Sequence, residues 1–228
     1  IGRAIALALA EAGADVAITY RSSFAEAQQT MADMRELGVR SHACECDVQS
    51  EASVQAAVAG VVREFGGLDI LINNAGAFET APLESITVEQ WDAMFRTNAR
   101  GPFLMAKAAH PYLKAAQANG GGRIVNLGSL GGSRAWATHA HYCASKAALH
   151  MLSLTMARAW APEISVNCVA PGMIVMGEVP ADYAQLAGKT PMQRNGTAGD
   201  VAAAVVFFAA GPHFITGQLL AVDGGLGL

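Results

Sequence analysis

Apolar positions along the chain switch between two spacings, and the switching predicts the architecture. IGRAIALALAEAG (1–13) has apolar residues at helical spacing and stops on Gly13, so the chain opens within a helix. ADVAITY (14–20) is a short apolar run that reads as a buried strand. SSFAEAQQTMADMRELG (22–38) returns to helical spacing, with Ser22 or Ser23 as N-cap and Gly38 as stop. RSHACECDV (40–48) reads as a strand, SEASVQAAVAGVVREFGG (50–67) as a helix closed by glycines, and LDILINNAG (68–76) as a strand running into a turn. TVEQ (87–90) matches a capping box and starts one long helix to about Gln117, with Gly101-Pro102 and Pro111 inside it. GRIVNLGS (122–129) is a strand, and HYCASKAALHMLSLTMARAW (141–160) lies on a helix. ISVNCVAPG (164–172), AGDVAAAVVFFAA (198–210) and GQLLAVDGG (217–225) complete the order as strand, helix and strand.

Strands that are continuous apolar runs are buried on both faces. Their alternation with helices predicts a single doubly wound α/β domain over 1–228, with a parallel sheet and right-handed crossovers. There is no internal repeat and no linker. The one long irregular stretch, 173–197, is expected to be a lid.

Composition narrows the function. Of 228 residues, 52% are hydrophobic and only 15% charged, enough for a sizeable core and too few charges for long disordered tails. The net charge is −4 and no Lys/Arg cluster stands out, which argues against a nucleic-acid surface. No apolar run is long enough for a membrane span; VAAAVVFFAA (201–210) is a buried helix. Cys44, Cys46, Cys143 and Cys168 fit no zinc spacing and read as reduced thiols, consistent with a cytoplasmic setting.

In sheets of this kind ligands bind at the carboxyl ends of the strands. Three strand ends carry turn glycines and polar residues: NNAG (73–76), LGS (127–129) and APG (170–172). Beyond the second of them, Tyr142 and Lys146 stand four residues apart on one helix face. A free phenol titrates near 10 and is a poor acid–base catalyst at neutral pH. A nearby ammonium would favour phenolate and lower that value. Ser129, ending a strand, could hydrogen-bond a substrate oxygen.

These features together resemble the short-chain dehydrogenase/reductase family over essentially the whole chain. The resemblance rests on IG (1–2), DV (47–48), NNAG (73–76), Asn98, Ser129 and YCASK (142–146), continuing through PG (171–172), ITG (215–217) and VDGG (222–225), all in the family's order. It implies a Rossmann-type fold and a nicotinamide-dependent oxidoreductase. Tyr142 would be the general acid in carbonyl reduction, Lys146 would lower its pKa and hold the nicotinamide ribose, and Ser129 would orient the carbonyl. Asn98, inside the long helix, would hold a water leading from Lys146 to a proton relay; an Asn is otherwise unfavourable in a helix interior. Gly2, Asn74, Ala75 and Gly76 would line the cofactor ribose and diphosphate, Asp47 and Val48 would flank the adenine, and Pro171 and Gly172 would complete the cofactor cleft.

The resemblance also implies a central strand and most of a glycine-rich turn ahead of Ile1, so the natural protein is expected to begin roughly fifteen residues earlier. The end of the second strand of such a fold reads TYRSS, without the carboxylate that would accept a 2′-hydroxyl and repel a 2′-phosphate. Tyr20, Arg21 and Ser22 there favour NADP(H) over NAD(H), Arg21 through its charge-assisted fork.

For the substrate, a small-molecule carbonyl or cyclic imine is expected. YRSS, NNAGAF and the 173–197 segment are similar to the pteridine-reductase-like branch, in which a Phe at the position of Phe78 stacks on a flat ring, although that branch's well-known members have Asp at the position of Ser129. Trp136 and Met173 would line the same mouth, and His139 and His141 shape it without binding metal. A 3-oxoacyl-thioester reductase is the alternative, disfavoured because Lys114 is followed by neutral residues and Glu163 stands where a base would help dock an acidic carrier. A non-catalytic NADP(H)-sensing protein on the same fold is a further alternative. The helices 88–117 and 140–160 carry more apolar residues than one face needs, among them Ala106, Ala109, Leu149, Met151 and Met156. The resemblance implies that they pair in a homotetramer, with a second contact near the last strand.

Overall fold

The computed structural model describes residues 1–116, 120–177 and 187–228. The chain runs α1 (Gly2–Glu11), β1 (Val16–Tyr20), α2 (Phe24–Glu36), β2 (Ser41–Glu45), α3 (Glu51–Phe65) and β3 (Ile70–Asn73). It continues through α4 (Val88–Phe95), α5 (Gly101–Ala115), β4 (Gly122–Leu127), α6 (Ala140–Trp160) and β5 (Ile164–Pro171). β6 (Ile174–Val175) and β7 (Gly196–Thr197) flank the segment expected as a lid, and α7 (Ala198–Ala210) and β8 (Leu219–Val222) follow. Residues 178–186 of that segment, and Gln117, lie outside the described residues.

Every ladder is parallel. β3, β4, β5 and β8 are neighbours in that order, β1 pairs with β2, and β6 with β7; among the described residues no ladder joins β1 to β3. Both faces of the four-stranded sheet are covered. Ile124 and Val166 point to one face and pack with Ala106, Leu113 and Met156 of α5 and α6. Val125, Leu127 and Val169 point to the other and pack with Ile5 and Leu9 of α1 and Val201 and Val205 of α7. β1 belongs to this second core through Val16. β5 is buried at all eight positions, as its unbroken apolar run requires.

Local signals account for most boundaries. Thr87 and Gln90 form the capping box reciprocally, Ser50 accepts from the Ser53 N–H, and Gly66 ends α3 in the left-handed conformation. Two expectations are corrected. Ser23 stands at the N-cap of α2 but its side chain makes no capping bond. The long helix is interrupted: Arg96–Arg100 form a π turn in which the Gly101 N–H reaches back five residues to the Arg96 carbonyl. Pro102 explains the break, because it has no N–H for the carbonyl of Asn98 four residues before it.

Candidate active site

The site assembles where β3, β4 and β5 end. The buried side of α6 is polar, bearing His141, Ser145, Lys146, His150 and Ser153, and it lies against β5 and the short turn Leu130–Gly132 after β4. Asn98, fully buried in the π turn, pairs with the main chain of Ala77 at both atoms. Its Oδ1 accepts from the Ala77 N–H at 2.8 Å and its Nδ2 donates to the Ala77 carbonyl at 2.9 Å. The same Nδ2 lies 3.0 Å from Ser145 Oγ on α6. Asn98 thus ties the turn after NNAG to the helix carrying Tyr142 and Lys146.

Lys146 Nζ donates to the Leu127 carbonyl at 2.7 Å, and that is the one acceptor shown for it among the described residues. The side chain is 5% exposed, and burial lowers its pKa from 10.5 to about 8. The expectation that it lowers the Tyr142 pKa is corrected. Its ammonium lies 6.0 Å from the centroid of the Tyr142 ring, held by the Leu127 carbonyl, and the phenol is pushed above its ordinary value by burial, partly opposed by a hydrogen bond with Ser129. Tyr142 is therefore a protonated acid at neutral pH with Ser129 beside it.

Around Tyr142 stand three rings. Phe78 meets it edge-on at 4.8 Å between centroids, Trp136 stacks on it at 6.1 Å, and His139 stacks on Phe78 at 4.9 Å. Phe78 is 58% exposed, so the cluster opens to solvent. Ser129 is buried, its Oγ accepting from the Gly131 N–H at 3.1 Å.

A family model described as enoyl-(acyl carrier protein) reductase, a short-chain dehydrogenase/reductase model, matches residues 1–227. The chain belongs to the short-chain dehydrogenase/reductase family. The 3-oxoacyl-(acyl-carrier-protein) reductase FabG of Staphylococcus aureus is 36% identical, the match covering 99% of this chain and 93% of that one. A gluconate 5-dehydrogenase from Burkholderia cenocepacia, solved with NADP and tartrate, superposes with a TM-score of 0.89 at 34% identity, covering 99% of this chain and 90% of that one. An NADH-dependent reductase responsible for alginate metabolism superposes with a TM-score of 0.90, also at 34% identity, covering 99% and 92%. The chain is thus an oxidoreductase of a family whose relatives include both NADP and NADH users.

The residues that a short-chain dehydrogenase/reductase would use for its cofactor fall along one crevice. A Cβ on Gly2 would come 2.7 Å from Asn74 Nδ2, and one on Gly76 would meet Asn98 Oδ1 and Lys146 Nζ at 3.5 and 3.6 Å. Val48 and Ala75 line one small recess with Asn73, Gly101 and Pro102. Tyr20, Arg21 and Ser22 end β1 beside Asp47, whose Oδ1 accepts from the Gln49 N–H. Pro171 and Gly172 end β5, the Gly172 N–H bonded to the Val222 carbonyl. The donor set fits a dinucleotide: the buried Lys146 ammonium keeps N–H donors for ribose hydroxyls, and α1 starts at Gly2 without a side-chain cap, leaving first-turn N–H groups for phosphate. Met173 is set apart from the rings, its carbonyl accepting from the Gly196 N–H. His141 is buried with its Nε2 3.7 Å from Glu79, and no metal cluster exists among the described residues. Sequence reasoning missed Ser145 and His150. The spacing 142, 146, 150 on one helix face was the available signal for His150.

Proposed function

We propose that the protein reduces the carbonyl of a small, flat or ring-bearing molecule with NADPH, converting ketone, NADPH and a proton into alcohol and NADP⁺. The observation that carries this reading is the protonated Tyr142 phenol beside Ser129, at the base of a mouth formed by Phe78, Trp136 and His139. When bound, the cofactor supplies a hydride to the carbonyl carbon. Ser129 then donates a hydrogen bond to the carbonyl oxygen, and Tyr142 gives that oxygen its proton as charge develops on it. Lys146 holds the ribose and, titrating near neutral pH, restores the Tyr142 proton. Asn98 keeps the 74–78 turn at the right distance from α6. Arg21, exposed and in no ion pair among the described residues, would bind the 2′-phosphate with Ser22. Phe78 and Trp136 would flank the substrate, and the segment 173–197, with Met173 at its base, would close over it. Four free thiols and no helix long and apolar enough to cross a membrane, among the described residues, suit a reducing cytoplasmic setting.

A homotetramer fits the exposed apolar faces. Ala106, Ala109, Leu149 and Met156 are core residues within one subunit, while Phe103, Met151 and Leu154 on α5 and α6, and Leu219 and Leu220 on β8, face outward.

The 3-oxoacyl-thioester reading is favoured by the 36% identity to FabG. Against carrier docking stands the pairing of Lys114 with Glu163 at 3.5 Å, which neutralises the base at that corner. Oxidation of NADPH against aryl ketones, quinones, dihydropterins and 3-oxoacyl-pantetheine thioesters tests the reading. Turnover on ring substrates supports it, turnover on the thioesters alone replaces it, and tight NADPH binding with no turnover favours a nucleotide sensor.

A further inference from the structure

One turn beyond Lys146, α6 carries His150 into the interior, where it is 8% exposed. Its ring lies directly under the Ser129 main chain. The Ser129 N–H donates to His150 Nε2 at 3.3 Å, and His150 Nδ1 stands 3.5 Å from Ser133 Oγ. Gly128 and Gly132, on either side of Ser129, close over the ring so tightly that a Cβ at either would overlap it. The same ring therefore touches residues 128, 129, 132 and 133, the whole turn that presents the serine.

The contacts select one state of the imidazole. Nε2 accepts from an N–H and must be bare, so a neutral ring carries its proton on Nδ1 and directs it to Ser133 Oγ. Two titratable groups are its neighbours. Lys146 on α6 is buried four residues away, and Cys168 Sγ on β5 is the next atom that a Gly128 Cβ would meet, at 2.8 Å. Burial, together with the Lys146 ammonium, pushes the His150 pKa down to about 4. With the Ser129 N–H engaged by His150 and one Oγ lone pair taken by the Gly131 N–H, the hydroxyl proton is the free donor of Ser129.

We propose that His150 is a positioning residue for Ser129: as a neutral ring protonated at Nδ1, it clamps the 128–133 turn and so aims the Ser129 hydroxyl at the substrate carbonyl. The proposal rests on the reading of Ser129 as the group that orients that carbonyl. Misplacing such a donor by about 1 Å costs on the order of 10²-fold in rate.

The test compares His150→Leu and His150→Gln, each alone and with Ser129→Ala, using the best carbonyl substrate and NADPH. Gln offers an oxygen acceptor near the position of Nε2, and Leu fills the space without one. His150→Leu is expected to lower kcat roughly 10- to 100-fold with the KM for NADPH unchanged, and His150→Gln to recover most of the loss. In the Ser129→Ala background His150→Leu should cost nothing further. Equal losses for Leu and Gln, or an undiminished Leu effect without Ser129, would overturn the proposal. Nitrogen-15 NMR of the imidazole reads the clamp without turnover or any Leu variant. A ring protonated at Nδ1 alone from pH 8 to 6 supports it, and protonation at Nε2 overturns it. An enzyme inactive on every carbonyl but holding the Nδ1–H tautomer would fail the reductase reading while upholding the clamp.

Discussion

Lys146 holds a charge where the surroundings oppose one, and that opposition is measurable as stability. Its folded-state pKa of about 8 lies below the ordinary value of 10.5. The native state therefore binds fewer protons than the unfolded chain between those values, so this group makes stability rise with pH across that window. Below about 8 the ammonium is charged in both states and its full burial cost is present; above 10.5 the cost is gone. Replacing Lys146 by Met removes the titration while keeping most of the side-chain length. The changes in packing and the lost bond to the Leu127 carbonyl do not depend on pH, so they drop out of a comparison between two pH values. From pH 7 to pH 10 wild type should gain about 2.5 kcal/mol on Lys146→Met, from the linkage relation at about 1.4 kcal/mol per pH unit. Cys168, raised to about 11 by burial, titrates almost equally in both proteins below pH 10 and cancels. Urea unfolding at pH 7, 8, 9 and 10 gives the difference directly. A difference constant within about 0.5 kcal/mol, a fraction of one linkage unit, would refute a desolvated ammonium at this position.

Tyr142→Phe keeps the ring in its contacts with Phe78 and Trp136 and removes the acid. Turnover should fall on the order of 10²–10⁴-fold with NADPH affinity nearly unchanged, and wild-type turnover would sink the assignment. Arg21→Asp should turn cofactor preference toward NADH by repelling a 2′-phosphate; steady-state kinetics with both cofactors decides, and an unchanged preference makes Arg21 a solvated side chain. Light scattering at micromolar concentration should report a tetramer, and a monodisperse, fully active monomer would rule out the exposed faces of α5, α6 and β8 as interfaces.

What the sequence made legible followed how local each signal was. The Thr87–Gln90 box, the Ser50 cap and the left-handed Gly66 act within a few residues, and those helix ends fell where they were expected. Strand runs such as ISVNCVAP read directly because burial on both faces leaves no polar position to confuse them. β3 was overestimated because NNAG continues its composition after the ladder has stopped at Asn73. The π turn was hidden because apolar spacing continues on both sides of it, and Pro102 alone hinted at the break. Tyr142 and Lys146 were found by spacing, yet the effect of one on the other was misread. Which way the ammonium turns depends on the Leu127 carbonyl, a partner nineteen residues away. Asn98 and the cofactor crevice came from resemblance, since their contacts join segments far apart in sequence. His150 escaped notice for the same reason, its meaning being fixed by two glycines of another element.

The π turn at Arg96–Arg100 also bears on how this gene can tolerate insertions and deletions. A π turn holds one residue more than a regular helix of the same span, so deleting any residue from it would restore ordinary winding. The deletion would also rotate everything downstream by about 100° and draw it back about 1.5 Å. For α5 that rotation would swing Leu104, Ala106, Ala109 and Leu113 off the interior and bring the exposed Phe103 and Lys107 toward it. The irregularity that seats Asn98 is therefore locked by the phase of a fifteen-residue helix. A length change at 96–100 should unfold the subunit, whereas a point substitution of Asn98 leaves that phase untouched.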